Sequence, residues 1–159
     1  IIFTGSNADL GGDYINKKIR FFCKKNKNCK FFLNLGFERY HNLLRYAKIL
    51  IGNSSSGIVE GASYNLPVVN IGNRQKGRPT NKNVFHSGYD VKSIKNKINQ
   101  ALKFNMKVEN IYYKKNSSKI IRDKIFKEIT TKKKKILIKK FNNIIWLIQN
   151  LLVEILYII

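Results

Sequence analysis

Acidic residues are scarce in this chain: nine Asp and Glu stand against 31 Lys and Arg in 159 residues, a formal charge of +22. No two of the carboxylates look like a catalytic dyad, so the sequence offers no internal acid–base pair for proton transfer. Cysteine is rarer still. Cys23 and Cys29 are too few for a disulfide scaffold and form no CxxC pair, so they read as reduced thiols packed near the second strand. With His41 and His86 as the only imidazoles, a zinc site lacks a ligand set. Methionine occurs once, at Met106, and the chain opens Ile1-Ile2-Phe3-Thr4 with nothing like a signal peptide. The expectation is a piece of a longer polypeptide whose own N-terminus lies upstream.

What is abundant is Lys (25), Ile (23) and Asn (20), residues whose codons are rich in A and T. Much of the charge is therefore read as compositional drift. The 43% hydrophobic content is enough for a core and argues against global disorder. A basic surface for nucleic acid or an anionic membrane is the alternative reading of the charge. The densest run, Lys132 to Lys135, has no RNA-binding aromatic motif or zinc-finger spacing beside it. A solvated Lys-rich surface is preferred over a dedicated nucleic-acid site.

Short apolar runs alternate with helical periodicity along residues 1–104. Strands are expected at Ile1–Thr4, Lys30–Leu35, Ile49–Ile51 and Val68–Ile71, with a short one at Val84-Phe85. Helices are expected over 11–25, 39–47, 56–64 and 91–104, the third broken by Asn65-Leu66-Pro67. Strands joined by helical crossovers imply a parallel sheet covered on both faces, a Rossmann-like α/β sandwich. Ligands of such sheets bind beyond the carboxyl ends of the strands. The polar loops after Thr4, Leu35, Ile51 and Ile71 all fall on that edge.

The segment 49–78 carries the chemistry. Its strand delivers the chain to Gly52-Asn53, and Ser54-Ser55-Ser56-Gly57 opens the next helix. Unpaired N–H groups and serine hydroxyls there suit a phosphate or diphosphate; a plain serine cap suits the same residues equally well. Gly57 lets the backbone approach closely. Glu60 is read in the first turn of the helix, either as a dipole-favoured carboxylate or as a clamp for vicinal ribose hydroxyls. Arg74, beyond Val68–Ile71, reaches the same edge and suits a diphosphate, or is one more surface cation. His41 falls on its helix away from this edge, and His86, beyond the last short strand, has a weak claim to a site role.

Residues 53–60 (NSSSGIVE) and 67–78 (PVVNIGNRQKGR) together resemble the C-terminal half of UDP-N-acetylglucosamine 2-epimerases, closest to the hydrolysing branch that feeds sialic-acid-type sugar synthesis. Phe3-Thr4 with Asn7-Ala8-Asp9 and Gly11-Gly12, Asn83-Val84, and 116–121 (NSSKII) extend the resemblance over about residues 1–129. It implies the nucleotide-sugar-binding Rossmann-like domain of a GT-B pair, with the catalytic N-terminal domain missing. It also implies uridine and ribose contacts from Asn7 and the Leu35 backbone, and diphosphate contacts from Ser54, Ser55 and Arg74. Glu60 would take the ribose hydroxyls, while Ser56 and Gly57 shape the turn. No metal or nicotinamide cofactor is implied. The implied ligand is a UDP-sugar, UDP-GlcNAc or a related one, in a cytoplasmic enzyme that is a homo-oligomer at full length. The fragment alone is expected to be inactive, its catalytic residues lying elsewhere. Three departures stand out: Thr4-Gly5-Ser6 replaces the family's usual Pro, Gly61 its frequent Ala, and Ile111-Tyr112-Tyr113 its common Asn-Pro-Tyr-Gly. The competing functional classes are a non-catalytic basic binding module and half of a GT-B glycosyltransferase.

Residues 130–159 leave the pattern. A Lys-rich stretch precedes an apolar run over 141–159 whose Phe141, Ile145, Ile148, Leu152, Ile155 and Ile159 follow heptad spacing. Five polar residues within it argue against a bilayer span. A helix packed on the domain or a partner is preferred over a membrane-surface anchor.

Overall fold

In the computed structural model, which describes residues 1–6 and 10–131, the chain forms two units by contact, residues 1–113 and residues 114 onward. The first unit alternates strands and helices. Strand β1 (Ile2–Thr4) leads to helix α1 (Gly12–Lys25), β2 (Lys30–Phe32), α2 (Gly36–Tyr46), β3 (Leu50–Gly52) and α3 (Ser55–Val59). A 3₁₀ turn (Gly61–Tyr64), β4 (Val68–Ile71), β5 (Val84–Ser87) and α4 (Val91–Leu102) complete it. The α/β class with parallel strands is the one expected.

All strand pairs are parallel, β1 with β2 and β3–β4–β5 in series. The expected continuous sheet is thus two ladders. Among the described residues β1 and β3 each have one strand partner, and Ile2 and Ile51 on them remain 45% and 42% exposed. β2 ends at Phe32, short of the expected Leu35, because the Gly5 N–H takes the Phe32 carbonyl at 2.9 Å where β1 itself has ended.

The core lies around β4. Val68 and Val69 are buried with Leu44 of α2, Ile58 of α3, Leu66 and Ala101 of α4. This cluster is what the short apolar runs predicted, since a central parallel strand is covered on both faces. Asn83 is also fully buried and donates from Nδ2 to the Leu66 carbonyl at 2.7 Å, so a backbone acceptor that no strand reaches is satisfied. Asp90 caps α4, its carboxylate accepting from the Ser93 N–H at 2.7 Å.

The helix expected over 56–64 is two pieces. α3 stops at Val59, the 3₁₀ turn follows, and Asn65 ends it in a left-handed conformation with φ 51°. α2 begins three residues before the expected 39, at Gly36, whose N–H bonds to Asn34 Oδ1 at 2.7 Å. In the second unit, α5 (Ser117–Thr131) exposes Ile121, Ile125 and Phe126. No described helix is long and apolar enough to cross a membrane. The apolar run expected over 141–159 lies outside the described residues.

Candidate functional site

Parallel pairing of β3 with β4, Gly52 opposite Asn70, sends the serine loop and the Arg74 loop off the same sheet edge. A side chain then joins them. Gln75 is buried and donates from Nε2 to the Asn53 carbonyl at 2.9 Å. The serine loop and the arginine loop are therefore neighbours, and Ser54, Ser55 and Arg74 are all exposed there.

Ser54 is the N-cap of α3, its Oγ accepting from the Ser56 N–H at 3.3 Å. The helix it caps has five residues, so little macrodipole accumulates and any anion seat depends on individual donors rather than on the helix end. Gly57 faces β4. A Cβ there would sit 2.7 Å from Val68 Cγ1, and one on Gly61 would sit 2.7 Å from Val68 Cγ2. The two glycines let the α3 segment lie directly on β4.

Glu60 is not in a first turn. It is the C-cap of α3 and the N-cap residue of the 3₁₀ turn that follows. A local donor holds it: Ser56 donates from Oγ to Glu60 Oε2 at 2.8 Å. The Tyr40 hydroxyl lies 2.6 Å from Ser56 Oγ. Burial holds the Tyr40 phenol above its usual value; the Ser56 hydroxyl, able to turn toward a phenolate, opposes this, and the Glu60 carboxylate adds to the rise.

His41 stands against Glu60 rather than away from the edge. Its Nε2 is 3.9 Å from Glu60 Oε2, and its Nδ1 is 2.7 Å from the Tyr64 hydroxyl. α2 carries Tyr40 to Ser56 of α3 and His41 to Tyr64 of the 3₁₀ turn. Phe37 packs on the His41 ring at 4.2 Å. His86 lies within β5 rather than beyond it, its Nδ1 3.2 Å from Asn70 Nδ2. Leu35, half-buried, is the N-cap residue of α2. Asn7 lies outside the described residues.

Tyr40, Tyr64, Gln75 and Asn110 were not singled out by the sequence. Asn110 donates from Nδ2 to the Val59 carbonyl at 2.8 Å and to Ser63 Oγ at 2.7 Å, bracing α3 from behind. The signal for Gln75 was present, since a polar residue beside Arg74 in a strand-edge loop is placed to bridge. Tyr40 and His41 carried none, because their partners are 16 and 23 residues away.

One concavity of about 850 Å³ opens along α1 and β2, lined by Lys17, Arg20, Cys23, Cys29, Phe31 and Phe32 among others. None of the predicted site residues lines it. Both cysteines are free thiols, Cys29 buried. Among the described residues no group of three His, Cys, Asp or Glu could hold a metal ion. What the loops beyond β3 and β4 present is exposed serine hydroxyls and a guanidinium, groups suited to a phosphate, and the far end of α3 carries a braced carboxylate.

Comparison with known proteins gives the same direction. The family model described as UDP-N-acetylglucosamine 2-epimerase matches residues 1–126. A GDP/UDP-N,N′-diacetylbacillosamine 2-epimerase (hydrolyzing) of Campylobacter jejuni is 47% identical over 88 residues, covering 55% of this chain and 23% of the relative. Polysialic acid biosynthesis protein P7 of Escherichia coli is 40% identical over 121 residues, 73% of this chain and 31% of the relative. A UDP-N-acetylglucosamine 2-epimerase of Neisseria meningitidis is 36% identical over 103 residues, 64% of this chain and 26% of the relative. The aligned part thus spans about a quarter to a third of these curated relatives.

Proposed function

The chain belongs to the UDP-N-acetylglucosamine 2-epimerase family, and on that premise we propose that it is the nucleotide-binding portion of a hydrolysing UDP-sugar 2-epimerase. In the complete enzyme, UDP-GlcNAc or a related UDP-sugar loses the proton at C2 and the C1–O bond to UDP, giving a glycal. Water then adds to release the 2-epimeric free sugar, N-acetylmannosamine for UDP-GlcNAc. The reaction is redox-neutral and needs no nicotinamide.

This chain's part is to hold the departing UDP. Ser54 and Ser55 offer hydroxyls and N–H groups to the diphosphate, and Arg74 offers a forked cation that stabilises the charge developing on the leaving oxygen. Glu60 accepts from the ribose hydroxyls, and Asn7 and the Leu35 backbone contact the uridine. The observation that carries this reading is the Gln75 tie to Asn53, which sets the serine loop and the Arg74 loop side by side beyond the strands. The proton-transfer groups belong to the other domain of a GT-B pair; among the described residues the carboxylate read into this site, Glu60, is engaged by Ser56. Residues 1–129 form the nucleotide-sugar domain and 130–159 an appended segment. The enzyme acts in the cytoplasm as a homo-oligomer. The family match favours this reading over a basic binding module and over a transferase half.

The test is to incubate the purified chain with UDP-GlcNAc and follow the anomeric signals by NMR, measuring UDP affinity in parallel. UDP binding without formation of N-acetylmannosamine is the expected result. Product formation by the chain alone would refute the division of labour, and absence of UDP binding would refute the nucleotide site.

A further inference from the structure

A carboxylate that binds a ribose must keep an oxygen turned outward, and the polar cluster behind Glu60 governs which oxygen that is. Ser56 donates its hydroxyl proton to Glu60 Oε2 at 2.8 Å. A serine hydroxyl has one proton to give. The 2.6 Å contact between Tyr40 and Ser56 must therefore use the tyrosine's proton. The chain of donors runs one way, from the Tyr40 O–H to Ser56 Oγ and from the Ser56 O–H to Glu60 Oε2. Each link polarises the next and strengthens it. His41 Nε2, 3.9 Å from the same Oε2, closes the other side, and Tyr64 fixes the His41 ring through Nδ1 at 2.7 Å. Among the described residues no hydrogen bond is made to Glu60 Oε1, and the Glu60 side chain is 35% exposed.

We propose that Tyr40, acting through Ser56, is a positioning residue that locks Glu60 by Oε2 and presents Oε1 as the acceptor for a ribose hydroxyl. The proposal rests on the reading of Glu60 as the ribose contact. Without the Tyr40 proton, the Ser56 hydroxyl loses its one donor among the described residues and is free to turn, and the Glu60 carboxylate regains rotamers that its outward role excludes. Ser56 then contributes through orientation rather than by touching the ligand.

The experiment is a calorimetric titration of the full 159-residue chain with UDP and with 2′-deoxy-UDP, in wild type, Glu60→Ala, Tyr40→Phe, Ser56→Ala and Ser56→Thr. The readout is the ratio of the two affinities, which a general loosening of the fold leaves alone. Wild type should prefer UDP by about tenfold, the worth of one charge-assisted hydrogen bond. Glu60→Ala should bring the ratio near one. Tyr40→Phe keeps the ring and should reduce the ratio to about threefold or less, since it removes only the orienting proton. Ser56→Ala should do the same, and Ser56→Thr, which keeps the hydroxyl, should restore the wild-type ratio. A wild-type ratio in Tyr40→Phe overturns the proposal while leaving the Glu60 reading in place. No preference in wild type, or no binding of either nucleotide, removes the ribose reading and the proposal with it. If Tyr40→Phe does not fold, the Ser56→Ala and Ser56→Thr pair decides: equal ratios overturn the proposal.

Discussion

Gln75 donates from Nε2 to the Asn53 carbonyl at 2.9 Å, and this contact joins the loop after β3 to the loop after β4. Gln75 is 5% exposed, and its Oε1 is buried without a hydrogen-bond partner among the described residues. Replacing the amide by a carboxylate puts a buried charge against the Asn53 oxygen and removes the donor. Gln75→Glu should therefore cost about 2 kcal/mol or more at pH 7. The new carboxyl gains a proton more easily when folded than when unfolded, so its pKa rises on folding. Its penalty should shrink as the pH falls, because the protonated acid can again donate. Urea unfolding of both proteins at pH 7 and pH 4.5 measures this; an equal gap at the two pH values would contradict the tie.

The glycines of the α3 segment make a packing prediction. A Cβ at Gly57 or Gly61 would meet a different methyl of Val68 at 2.7 Å, and Val68 is itself buried in the core. Each Gly→Ala change should cost about 1–3 kcal/mol through overpacking. Val68→Ala removes the obstructing methyls, so Gly61→Ala combined with Val68→Ala should be less destabilised than the sum of the two single changes. Additive losses in denaturant melts would show that Val68 is not the obstacle.

Strand β4 was legible in the sequence because Pro67 and Gly72 bracket an apolar run that a central parallel strand requires, and its observed bounds are those expected. The common edge of Ser54 and Arg74 followed from strand direction alone, and the β3–β4 register agrees with it. The start of α2 was not legible, because Gly36 enters the helix at φ 68° with its N–H held by Asn34, an arrangement no periodicity signals. Nor was the contact of Tyr40 and His41 with Ser56 and Tyr64, which lie 16 and 23 residues away. Reading α3 as one long helix hid the same fact from the other side, since it put Glu60 near a helix start instead of at a helix end.

Tyr40 makes a prediction at high pH. Its phenol is held above the ordinary value of 10.0 by burial, with the Ser56 hydroxyl opposing and Glu60 adding to the rise. A raised folded-state pKa contributes stability that is present below the unfolded value and is lost as the pH climbs through the folded one. Wild type should lose stability as the pH passes above about 10, and Tyr40→Phe should lose less over that range. Thermal melts from pH 8 to 11, with phenolate absorbance followed in both proteins, check it. Identical alkaline losses would show that Tyr40 does not report the cluster.

The central claim is that Ser54, Ser55 and Arg74 seat a diphosphate while Glu60 takes the ribose, and Arg74 tests it most directly. Uridine and UDP share the ribose and differ in the phosphates, so a guanidinium that meets phosphate separates them. Calorimetric titration of wild type and Arg74→Ala with both ligands should show UDP weakened about tenfold or more, the worth of a charged hydrogen bond, with uridine nearly unchanged. Equal losses for the two ligands, or no loss for UDP, would contradict the account.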